Sequence, residues 1–84
     1  MNENIKIWFD FLKERFNREV SRALRSSDEK ALRRANEIRA EASGAESMIA
    51  LLITDPEEAA RNYRPIREWL NSFYNWQTEK NKLN

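Results

Sequence analysis

Apolar residues recur along the chain at helical spacing in three successive stretches. In the first, Ile5, Phe9, Leu12, Phe16, Val20 and Ala23 fall within about 80° of one another at 100° per residue, a single amphipathic stripe. The spacing predicts a helix over residues 3–25. The segment "SSDE" follows, where a Ser or Asp side chain can accept hydrogen bonds from the free amides that open the next helix.

The second stretch is a regular four-three seam: Ala31, Ala35, Ile38, Ala42, Ala45, Ile49 and Leu52. This is the a/d pattern of a coiled coil, filled mostly with small side chains, and it predicts a helix over residues 28–53. The opposite side is small as well at Ala40, Ser43, Gly44 and Ser47, so neighbours are expected to approach closely on both sides of a central helix. Gly44 costs about 1 kcal/mol relative to Ala in a helix interior. It either permits a close backbone contact or marks a break within "ASGAES"; the unbroken seam favours one continuous helix.

"ITDPEE" is the strongest boundary in the chain. Asp55 can cap, Pro56 suits the first turn, and Glu57 and Glu58 complement the positive end of the helix dipole. The third helix is predicted over residues 56–79, with Ala59, Tyr63, Ile66, Leu70 and Phe73 along one stripe. Pro65 removes an internal hydrogen bond and disfavours helical geometry at Arg64, so a kink or break is expected near residues 62–65. Three helices of similar length with short connections predict an all-α, up-down-up three-helix bundle forming a single domain over residues 1–84. In that arrangement the large Phe73 and Trp76 face the small Ala31 and Ala35, as dense packing requires.

Composition agrees with this picture. Ala, Glu, Lys, Leu and Arg make up half of the 84 residues, with one Gly and two Pro, the profile of long helices. The net charge of +1 supplies no global field toward nucleic acid or a membrane. Its distribution is uneven: residues 13–39 carry a net +4 and residues 40–63 a net −4. No apolar run approaches the length of a membrane span, "MIALLI" being only six residues, and the first residues lack the apolar core of a signal peptide. A cytoplasmic location is the expectation.

The residue inventory removes most catalytic chemistry. With no Cys and no His there is no thiolate zinc site, Ser-His-Asp or Cys-His arrangement, or histidine base. One glycine cannot build a phosphate-cradling loop. Glu37 with Glu41, and Glu57 with Glu58, are the carboxylate pairs that remain, and in a chain this charged they read as solvated surface. No catalytic residue, metal site or cofactor is expected.

Two surfaces are candidates for binding. Arg15, Arg18, Arg22 and Arg25 form a stripe about 80° wide opposite the core of the first helix, able to grip phosphates through their planar donor forks. Glu14, Glu19 and acids of the other helices can neutralise it in part. Ile7 and Phe11 lie on that same outward side, and Trp69 and Trp76, seven apart, lie on the flank of the third helix. Exposed aromatic groups mark contact surfaces, whereas a wide helix face would bury them inside the bundle.

The function expected is that of a small non-enzymatic protein acting through protein–protein contact: an adaptor, an inhibitor or an assembly factor, of a kind often encoded by phages and mobile elements. The four apolar residues are expected to form a homodimer interface. The alternative is a nucleic-acid-binding module built on the four arginines.

Overall fold

The computed structural model describes the backbone of residues 1–83 and the side chains of residues 1–72. It contains three α-helices: α1 (Glu3–Ser26), α2 (Glu29–Leu52) and α3 (Pro56–Leu83). Each begins on a side chain that accepts hydrogen bonds from the otherwise unpaired first-turn amides. Asn2 Oδ1 accepts from the N–H groups of Asn4 and Ile5 at 2.8 and 3.3 Å. Asp28 Oδ1 accepts from Lys30 and Ala31 at 2.9 and 3.2 Å, and Asp55 Oδ2 from Glu58 at 3.2 Å. The α1–α2 turn is made by Ser27 in the left-handed conformation, φ 50° and ψ 39°.

Side-chain pairs set the helix directions. Arg15 meets Glu41 at 3.6 Å and Glu19 meets Arg34 at 2.9 Å, so α1 and α2 run antiparallel. Arg67 meets Glu46 at 2.6 Å between α2 and α3. Asn2 bonds to Asn62, and Phe9 and Phe16 pack edge-on against Trp69, placing α1 and α3 parallel. The bundle is up-down-up.

The alanines of α2 account for its central position. Ala31, Ala35 and Ala42 are fully buried, with Ile38 between them. Among the described residues, α2 lies in broad close approach to both α1 and α3, whereas the backbones of α1 and α3 stand farther apart. Rings fill that wider space: Trp69 lies 5.8 Å from Phe9 and 5.0 Å from Phe16, and Lys13 covers Phe9 at 4.5 Å. Small side chains bring two helices close to α2, and large ones hold those two helices apart from each other. Phe9, Leu12, Phe16, Ala35, Ile38, Ala42 and Ile66 form the core cluster.

Four expectations need correction. First, α3 is continuous through Pro65, so the expected break is absent. Buried residues flank the proline closely, Asn62 before it and Ile66 after it, and their anchoring opposes an interruption. The helix also runs as far as Leu83 rather than ending near residue 79. Second, the α2 seam is buried only over its first half. Ala45 and Ile49 are half-buried, and Leu52 is exposed. The opening residues of α1, Asn2, Glu3 and Asn4, are polar and offer Leu52 no apolar cover. Third, Ala40, Ser43, Gly44 and Ser47 are all exposed, and Ala40 and Ser43 line an open groove with Arg67, Leu70 and Asn71 of α3 instead of packing closely against a helix. A Cβ at Gly44 would meet nothing within 4 Å, and the helix is continuous there without a close contact. Fourth, the core side of α3 extends beyond the predicted stripe of Ala59, Tyr63, Ile66, Leu70 and Phe73, because Asn62 is buried there as well. Phe73 and Trp76, expected opposite Ala31 and Ala35, lie outside the residues whose side chains are described.

Candidate interaction surface

The arginine stripe of α1 is neutralised along part of its length. Arg15 pairs with Glu41 of α2. Arg22 pairs at 3.5 Å with Glu19, whose second oxygen binds Arg34. These groups line a shallow groove between α1 and α2 in which Arg15, Arg18, Arg22 and Arg34 alternate with Glu19, Glu37 and Glu41. Charges of both signs at this spacing weaken the field at the groove and leave it a poor cradle for a single phosphate. Arg18 and Arg25 are exposed and make no ion pair with the described residues. They line a second shallow depression with Asn17, Ser21 and Arg22.

The apolar candidates separate into two groups. Ile7 and Phe11 project outward and are about 60% exposed. Trp69 instead packs against Phe9 and Phe16, filling the space between α1 and α3. It therefore belongs to the packing of the bundle, not to a free patch shared with Ile7 and Phe11. Trp76 follows at the same seven-residue spacing, and its side chain lies outside the described residues.

The exposed patch has members that the sequence reading missed. Met48, Leu51 and Leu52, at the end of α2, are 51%, 75% and 69% exposed. The Arg15–Glu41 and Glu19–Arg34 pairs set the register of the α1–α2 hairpin. Ile7 and Phe11 precede Arg15 by two turns and one turn, while Met48 and Leu52 follow Glu41 by two and three turns. The five side chains therefore gather at one end of the face that carries the arginine groove at its other end. The missed signal was available: "MIALLI" is too long an apolar run for the two seam positions it contains, and it ends opposite a polar first turn.

Glu37, Glu41, Glu57 and Glu58 are exposed, and among the described residues no three acidic side chains converge as a metal site would need. Every buried side-chain nitrogen and oxygen among them has a hydrogen-bond partner. No described helix is long and apolar enough to cross a membrane. Comparison with protein-family models, curated proteins and solved structures found no match to this chain.

Proposed function

We propose that this chain is a non-enzymatic helical protein that works through protein–protein contact, as an adaptor, inhibitor or assembly factor, and that it self-associates. The observation carrying the reading is the apolar patch of Ile7, Phe11, Met48, Leu51 and Leu52. Five large apolar side chains, each at least half exposed, gather on one end of the α1–α2 face. Exposed apolar side chains gathered in this way mark contact surfaces. Burying what remains exposed of each would contribute about 1–2 kcal/mol before the cost of association is subtracted.

In-cell cross-linking tests this reading. Wild type and a Phe11→Glu, Leu52→Glu variant are compared, both checked for helicity. The wild type should form protein adducts, with itself or with another chain, that the variant lacks. Identical adducts from both would remove the apolar face as the contact surface.

A second reading rests on Arg18 and Arg25, the stripe members without an ion pair among the described residues. They would contact the phosphates of a nucleic acid. Binding of a labelled oligonucleotide should then weaken steeply with salt and fall further in an Arg18→Ala, Arg25→Ala variant. Binding insensitive to both salt and substitution would remove it.

A further inference from the structure

We infer that the depression on the outer side of α1 lined by Asn17, Arg18, Ser21, Arg22 and Arg25 binds a phosphomonoester, a terminal phosphate carrying two negative charges. This rests on the arginine reading above and commits it to one ligand group. Three guanidinium groups, a hydroxyl and a carboxamide supply hydrogen-bond donors, and no carboxylate lines the depression. Its volume of about 320 Å³ suits a phosphate on a small carrier.

Helical spacing brings these groups together. Arg18 and Arg22 are four residues apart, Arg22 and Arg25 three, and Ser21 stands one turn from both Asn17 and Arg25. Like charges at these spacings oppose a helix, and the dipole of α1 compensates only Arg25, in its last turn. Arg18 and Arg25 make no ion pair with the described residues, while Arg22 shares Glu19 with Arg34. The result is a positive cluster short of counter-charge. Its planar guanidinium forks present the donor geometry that phosphate oxygens accept.

The surrounding carboxylates decide what kind of phosphate fits. Glu14 lies one turn before Arg18, with no ion pair joining the two, and Glu19 and Glu37 lie in the neighbouring groove on the α2 side. A nucleic-acid backbone crossing the depression toward either edge would bring its next phosphates against them. A single terminal phosphate avoids them. It also carries the second charge that a diester lacks, which three arginines stabilise.

Amide chemical-shift titration of the full chain tests the site, with glycerol 3-phosphate as monoester and dimethyl phosphate as diester. The monoester should shift the amides around the depression and saturate with a Kd of about 1 mM, and the diester should bind at least about tenfold more weakly. Arg18→Ala should raise the monoester Kd about tenfold and Ser21→Ala about threefold, with helicity unchanged. The chain has no histidine, so a pH dependence between about 5.5 and 7.5 comes from the phosphate, whose second proton leaves near about pH 6. Monoester binding should be about fourfold weaker at the lower pH. Absence of shifts at about 20 mM monoester overturns the proposal, as does an Arg18→Ala variant that binds like wild type. Equal, pH-independent binding of the two esters overturns it as well. If the esters fail, oligonucleotide binding weakened by salt and by Arg18→Ala, Arg25→Ala leaves the backbone reading standing, and binding indifferent to both removes that reading too. If the monoester binds, a 5′-phosphate that tightens the oligonucleotide about tenfold identifies a strand end as its carrier, and one without effect identifies a small molecule.

Discussion

Asn62 Oδ1 accepts a hydrogen bond from the backbone N–H of Asn2 at 2.6 Å, joining two residues 60 positions apart. Its Nδ2 donates to the carbonyl of Glu58 at 2.8 Å, so this buried amide is paired at both ends. Asn2 in turn caps α1 with its own side chain. A polar residue in the core of α3 thus holds the start of α1 in place. The link belongs to a seven-residue series: Asn2, Phe9 and Phe16 on α1 meet Asn62 and Trp69 on α3.

Removing that amide has a defined consequence. Asn62→Ala deletes both hydrogen bonds and leaves a small void beside the start of α1. The expected loss is about 1–2 kcal/mol in urea melts. A change below about 0.3 kcal/mol would mean that water replaces the side chain without loss.

Ala42 is fully buried on the α2 seam next to Leu12, Phe16 and Ile66 of the core cluster. Ala42→Leu inserts three carbons where two helices already approach closely. It should cost about 1–3 kcal/mol in denaturant melts. A neutral or stabilising result would show the seam to be loosely packed.

Helical spacing was enough to assign the core stripe of α1, because Phe9, Leu12 and Phe16 recur at three- and four-residue steps and all three are buried. It could not foresee Leu52, which continues the α2 seam in phase yet stays exposed. Periodicity names a face and says nothing of where the neighbouring helix stops offering apolar cover. Asn62 was hidden for a related reason: its burial depends on Asn2, whose proximity arises only from the topology. Trp69 was placed on the flank of α3 and Phe11 on the outward side of α1, both in one expected interface, and the packing of Trp69 inside the bundle depends on the distance between α1 and α3. That distance follows from the alanines of a different helix, so no local pattern encodes it.

Ser27 ends α1 with φ 50° and ψ 39°, a conformation in which its Cβ is crowded. Glycine carries no such penalty at this position. Ser27→Gly should therefore stabilise the chain by about 0.5–1 kcal/mol in urea melts, despite the greater freedom glycine gives the unfolded state. Destabilisation would indicate that the Ser27 side chain contributes more than its backbone strain costs.

Gly44 presents the opposite case. It lies inside α2 with helical backbone geometry, and a Cβ built on it meets nothing within 4 Å. Gly44→Ala should stabilise the folded chain by about 1 kcal/mol, since alanine loses less backbone freedom on folding. A loss measured at low protein concentration would mean that the position is more enclosed than its surroundings indicate.

Phe11 and Trp69 should respond differently to the same substitution. Trp69 is held edge-on by two rings, at 5.0 Å from Phe16 and 5.8 Å from Phe9, in the space that keeps α1 and α3 apart. Trp69→Glu removes a large, partly buried ring and puts a carboxylate beside apolar groups, a loss of about 3–5 kcal/mol. A chain of 84 residues has little more stability than that, so its helicity should collapse at room temperature. Phe11 is about 60% exposed, and no aromatic pair involves it among the described residues. Phe11→Glu should leave the stability of the single chain within about 0.5 kcal/mol of wild type. Circular dichroism and urea melts at low concentration separate the two. Equal collapse would place Phe11 in the core of one chain, whereas equal tolerance would mean that the α1–α3 side is open to water. A folded Phe11→Glu monomer beside an unfolded Trp69→Glu chain would assign Trp69 to the fold and Phe11 to the surface.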